Sequence, residues 1–109
     1  MTFKKIIDYI DTVKPNAYDV ATKLHWLFEA DSIILCEVHR KKPSELDMAL
    51  GEQDTPSVPE PYSRLYSYYV FAMMDFFSGD VDGYKLSAEM FDKLTDIYAK
   101  WYVRGGEAV

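Results

Sequence analysis

Between Pro61 and Gly79 the chain is apolar on almost every side, and this segment constrains the fold more than any other. Leu65, Tyr66, Tyr69, Val70, Ala72, Met73, Phe76 and Phe77 leave little polar face to meet water. A helix over about 61–78 must therefore be surrounded by other elements and form the centre of a bundle. Pro61 suits the first helical position, and Gly79 the position just past the end. An aspartate in place of Tyr69 or Met73 is expected to unfold the chain, because an unpaired buried charge costs several kcal/mol. Arg64 stands near its start, and Asp75 is the one charge in its interior. A structural ion pair or a solvent-facing slot is expected there rather than a catalytic role.

Three amphipathic segments supply the surround. Phe3, Ile6, Ile7, Ile10 and Val13 recur at helical spacing over 2–13, with Thr2 as N-cap and Lys14-Pro15 as terminator. A second helix is expected from about Tyr18 to Lys42, with Val20, Leu24, Leu27, Phe28, Ile34, Leu35 and Val38 as its stripe. Its acidic start at Asp19 and basic end at Arg40-Lys41-Lys42 match the helix dipole. The run Ile33-Ile34-Leu35 also fits a strand, and a kink is conceivable at Ala30-Asp31-Ser32; helix is the preferred reading. Asp80-Val81-Asp82-Gly83 reads as a turn with acidic N-capping. A fourth helix follows from about Gly83 to Val103, with Tyr84, Ser87, Phe91, Leu94, Tyr98 and Trp101 on one face and Met90 and Ile97 on its flank. The fold class is all-α: a single domain over 1–109, a small four-helix bundle, or five helices counting a short turn at Ser44–Asp47.

Residues 44–60 read differently. Gly51, Pro56 and Pro59 stand among few apolar residues, so a flexible or irregular loop is expected, with 47–58 ordering against a neighbouring subunit. A flexible tail is expected over 105–109.

Composition narrows function more by exclusion. The 109 residues carry a net charge of −6, and the dense basic run is His39-Arg40-Lys41-Lys42, so gripping of nucleic-acid phosphates is disfavoured. Cys36 has no second cysteine for an intrachain disulfide and suits a reducing compartment. Charged residues Lys4, Lys5, Asp8 and Asp11 speak against a signal peptide. The uncharged run Leu65–Met74 is half the roughly 20 residues of a membrane helix. Nine Tyr, six Phe and two Trp are more than a core of this size hides easily, which hints at protein–protein contact.

Chemistry is sparse. His25/Glu29 and Cys36/His39 each have the helical spacing of two metal ligands, but the pairs lie roughly 15–20 Å apart along one helix and cannot share an ion. Asp80-x-Asp82-Gly83 is too short for a calcium loop. A Cys36/His39 dyad would lack an oxyanion hole, and no phosphate loop or dinucleotide fingerprint is present. No metal site, cofactor or enzymatic activity is expected. Trp101, Tyr102 and Arg104, residue types enriched at contact hot spots, are the candidate protein-contact residues; a helix end packed on its own bundle is the plain alternative.

Three segments, in order, resemble the head–tail connector (adaptor) proteins of tailed phages and prophages of Gram-positive bacteria. These are Tyr9-Ile10-Asp11 leading into Lys14-Pro15-Asn16-Ala17-Tyr18 with Trp26 beyond; Pro59-Glu60-Pro61-Tyr62 with Leu65-Tyr66, Tyr69 and Ala72-Met73-Met74-Asp75-Phe76; and Gly79-Asp80-Val81-Asp82-Gly83-Tyr84 with Phe91. The resemblance spans roughly 8–104. It departs at the loop, where Val58 stands in for a longer apolar run, and at Asp80, where Glu is common. The resemblance implies a structural virion subunit without cofactor. Such subunits form a ring, often of twelve copies, between the portal protein and the tail-completion protein at the head–tail junction, after assembly in the bacterial host cytoplasm. DNA passes through without specific binding. A small helical regulator or antitoxin-like protein that binds a partner protein is the alternative class.

Overall fold

A computed structural model of the chain describes residues 1–46 and 50–105, and among these it contains four α-helices, two 3-10 turns and no strand. The helices are α1 (Phe3–Val13), α2 (Val20–Glu37), α3 (Leu65–Ser78) and α4 (Val81–Val103). The all-α reading is thus the observed architecture, and the helical choice at Ile33–Leu35 is the right one. No described helix is long and apolar enough to cross a membrane.

Local chemistry sets the helix ends. The Thr2 hydroxyl accepts the Lys5 N–H at 3.3 Å and opens α1. Asp19 is the N-cap of α2, accepting from the Thr22 N–H at 2.8 Å. Asp80 caps α4 through the Gly83 N–H at 2.9 Å. A Schellman motif closes α3: Gly79 takes a left-handed φ of 81°, its N–H reaches the Phe76 carbonyl, and the Asp80 N–H reaches the Asp75 carbonyl.

Several boundaries differ from the sequence expectation. Helix α2 ends at Glu37, so Arg40-Lys41-Lys42 follows the helix instead of forming its last turn. The cause is Arg40, whose φ of 62° breaks the helical path, while Lys41 N–H reaches back to the Leu35 carbonyl. Arginine carries no sequence signal for that conformation. Pro61 does not open α3; a 3-10 turn at Tyr62–Arg64 intervenes. Helix α4 begins two residues early because the Schellman turn needs only Gly79 and Asp80, which places Gly83 inside its first turn. The short turn beyond α2 is Pro43–Glu45, shifted N-terminally from the expected Ser44–Asp47; Asp47 itself lies outside the described residues.

Contacts fix the order as up-down-up-down. Lys14, at the end of α1, pairs with Asp75 near the end of α3. Phe77 of α3 stacks on Trp26 in the first half of α2, and Phe76 meets Tyr84 in the first turn of α4. His39 just beyond α2 stacks on Tyr102 at the end of α4. Helices α2 and α4 therefore run parallel, and α3 runs against both. Helix α3 packs on each of the other three and makes its most extensive contact with α4.

The core is Phe3, Ile6, Ile7 and Ile10 of α1, Trp26, Leu27, Ala30 and Ile34 of α2, Leu65, Tyr66, Val70 and Met74 of α3, and Phe91 and Tyr98 of α4. Helix α3 is the most buried, as its apolar surround requires. The stripes are not uniformly internal. Val13 and Val20 are exposed, Tyr69 and Met73 only half-buried, and Tyr84 and Ile97 lie at the surface. Val70 is thus the better position than Tyr69 or Met73 for an unfolding charge.

The segment 50–60 is irregular, yet it has the anchors that its composition seemed to lack. Pro56 and Val58 are buried and Leu50 packs against the core. The N–H groups that open α1 find partners here, Phe3 N–H on the Asp54 carbonyl at 3.0 Å and Lys4 N–H on the Glu52 carbonyl at 2.8 Å. Residues 47–49 of the expected flexible loop, and 106–109 of the expected flexible tail, lie outside the described residues.

Candidate functional site: two ends of the bundle

Two buried carboxylates organise the two ends. Asp31, 3% exposed on α2, accepts three hydrogen bonds: from the Tyr66 hydroxyl at 2.6 Å, the Ser57 N–H at 3.0 Å and the Ser57 hydroxyl at 2.9 Å. The Tyr66 oxygen in turn accepts the Val58 N–H at 3.0 Å. Burial, reinforced by Asp31, pushes the Tyr66 hydroxyl far above the ordinary tyrosine range, so it stays a donor. This network straps segment 56–58 onto α2 and α3.

Beside it lies an open cleft of about 820 Å³, lined by His39, Pro59, Glu60, Tyr98, Trp101 and Tyr102 among others. His39 Nε2 sits 2.6 Å from the Tyr98 hydroxyl, and its ring stacks on Tyr102 at 4.3 Å with planes 11° apart. Burial holds the imidazole below its ordinary pKa; Asp31 works against that and Lys41 with it. Arg40, Lys41, Lys42 and Arg104 are exposed around this end, which is termed the basic end.

At the opposite end Asp75, 4% exposed, pairs with the Lys14 ammonium. The structural pair expected from sequence is thus present. Gly83 faces the same carboxylate: a Cβ there would come within 2.7 Å of Asp75 Oδ2 and 2.6 Å of Asp80 Oδ2. Around this point Phe76 and Phe77, expected inside, are 59% and 60% exposed, and Val81 is exposed beside them. Phe77 lies over Trp26 of α2 and Phe76 against Tyr84 of α4, and the rest of each ring faces solvent. With Tyr84, and Trp26 beneath Phe77, they form a continuous aromatic surface. Asp19, Asp80 and Asp82 are exposed at this end, the acidic end.

The structure separates the candidate contact residues. Trp101 is half-buried against Tyr62 and Tyr98, with ring centroids 5.3 and 5.8 Å apart. It serves its own bundle. Tyr102 is exposed on the cleft rim, and Arg104 is exposed as the C-cap of α4. Sequence reasoning missed Phe76, Phe77 and Val81, because periodicity marks an apolar residue but not which of its sides the neighbouring helices leave open. It also missed the buried Lys23, whose ammonium meets Asp11 at 2.7 Å and Asn16 at 3.3 Å.

Among the described residues no three of His, Cys, Asp and Glu are grouped to hold a metal ion. His25 and Glu29 do meet, at 3.5 Å, as an exposed i,i+4 pair. Cys36 is half-buried and the His39 ring is taken up by Tyr98 and Tyr102. Tyr69 faces Glu29, and burial, seconded by that carboxylate, pushes its pKa up to about 12. These arrangements can hold surfaces in place. Comparison with protein-family models, with curated proteins and with solved structures finds no match to the chain.

Proposed function

We propose that this chain is a structural subunit of the head–tail junction of a tailed phage or prophage, assembling in a ring between portal and tail-completion proteins while DNA passes through. The observation that carries the assembly half of this reading is the exposed aromatic surface of Phe76, Phe77 and Tyr84 on a chain of only 109 residues. Contiguous apolar surface of this kind on a small helical bundle is a mark of protein contact. The virion half rests on the resemblance of segments 9–26, 59–76 and 79–91 to connector proteins.

Charge supports passage rather than gripping. Twelve copies at −6 each would total about −72, a field that repels phosphate, and strong phosphate contacts would trap a sliding duplex. The test is deletion of the gene from an inducible lysogen. Filled heads and free tails, rejoined by supplying the protein in trans, are expected. Normal virions from the deletion strain, or tight duplex binding by the free protein at physiological salt, would overturn the reading.

A further inference from the structure

The geometry points to a head-to-tail contact between copies of this chain, the acidic end of one copy seated on the basic end of the next. Helices α2 and α4 run parallel, so both begin at one end and finish at the other. The 23 residues of α4 span about 35 Å, close to the 40 Å long axis of the molecule, so the two ends face opposite ways. One end presents Phe76, Phe77 and Val81 beside the N-caps Asp19 and Asp80 and the first-turn Asp82. The other presents Tyr102 and Val103 beside Arg40, Lys41, Lys42 and Arg104. Lys85 dilutes the first end; Glu37, Glu45 and Glu60 dilute the second, where exposed Arg64 adds to the cations, so each end keeps its net sign; Lys14 is already held by Asp75.

Each end thus combines exposed apolar surface with a net charge, and the net charges are opposite. A second copy is the occupant that matches both at once: apolar surface meets apolar surface while carboxylates meet guanidinium and ammonium groups. The same end paired with itself would set like charges together. The contact is therefore heterologous, and heterologous contacts propagate into closed rings or open filaments rather than stopping at a dimer. The inference rests on the self-assembly half of the reading above and not on the portal partner.

Two variants at exposed positions test it, Phe76→Lys on the acidic end and Val103→Glu on the basic end, each checked for a native circular dichroism spectrum. Sedimentation at low salt, up to millimolar protein, should show the wild type growing beyond a dimer and each variant alone staying monomeric. The equimolar mixture keeps one intact pair of ends and should stop at a heterodimer that salt weakens. A monomeric wild type, a variant that still self-associates, or a mixture that stays monomeric would overturn the contact. Wild-type growth and a heterodimer, with no ring on a portal, would leave this contact standing and sink the connector reading alone.

Discussion

The two ends of this bundle solve one problem in opposite ways. Each buries an aspartate where α3 meets its neighbours. Asp31 is served by neutral donors, Tyr66 and Ser57, that also strap down segment 56–58 beside the open cleft. Asp75 is served by a lysine at the rim, and the aromatic residues next to it stay outside. The first arrangement depends chiefly on the buried Tyr66–Asp31 hydrogen bond, which salt screens little. The second depends on a partly exposed cation and leaves the end open to another molecule. At the first end the hydrogen-bonded joint lies beneath the surface and contact falls to the exposed rim, Tyr102 and Val103; at the second the aromatics beside the rim ion pair are themselves the contact surface.

The largest expected effect breaks the Asp31 end. Tyr66→Phe removes the donor to Asp31 and the acceptor for the Val58 N–H, leaving two buried polar groups short of a partner. A loss of about 3 kcal/mol is expected in urea unfolding, with the Val58 amide losing its hydrogen-exchange protection. At the other end Lys14→Met strands Asp75, but Lys14 is partly solvated, so about 1–2 kcal/mol is expected. The contrast sharpens with salt: the Lys14→Met penalty should shrink at 0.5 M NaCl, whereas the Tyr66→Phe penalty should not.

Gly83→Ala probes the same corner more gently. The added methyl group meets the carboxylates of Asp75 and Asp80. Displacing them should outweigh the helix propensity of alanine and lower stability by about 1 kcal/mol in thermal unfolding. The smallest expected effect belongs to His39. Burial depresses its pKa in the folded state, so as pH falls through the ordinary value near 6.5 the unfolded chain takes up the proton first. The contribution of His39 to stability is therefore present above that value and is lost as pH falls below it. The difference in urea midpoint between wild type and His39→Phe should change between pH 7.5 and pH 5, in the direction that favours the variant at low pH.

Much of the frame was legible in the sequence because it depends on local signals. The Thr2 and Asp80 caps, the Gly79 stop and the apolar surround of α3 are each written within a few residues. The position of Arg40 was not legible, since a left-handed arginine has no compositional mark. Nor was the strap: Pro56 and Val58 look isolated until Asp31, 26 residues before Ser57 in the chain, supplies the acceptor. The candidate contact surface was half legible. Tyr102 and Arg104 are exposed where a helix end predicted them, but Trp101 turns inward, because Tyr62 from a distant turn stands ready to receive it. Phe76 and Phe77 have the spacing of core residues, and an apolar stripe carries no mark of which faces its neighbours leave open.

The central claim is assembly, and imaging tests it most directly. Purified protein mixed with the portal protein encoded in the same genome should add a ring of density to the portal, with subunits joined acidic end to basic end. A portal that stays bare at saturating protein would contradict the account.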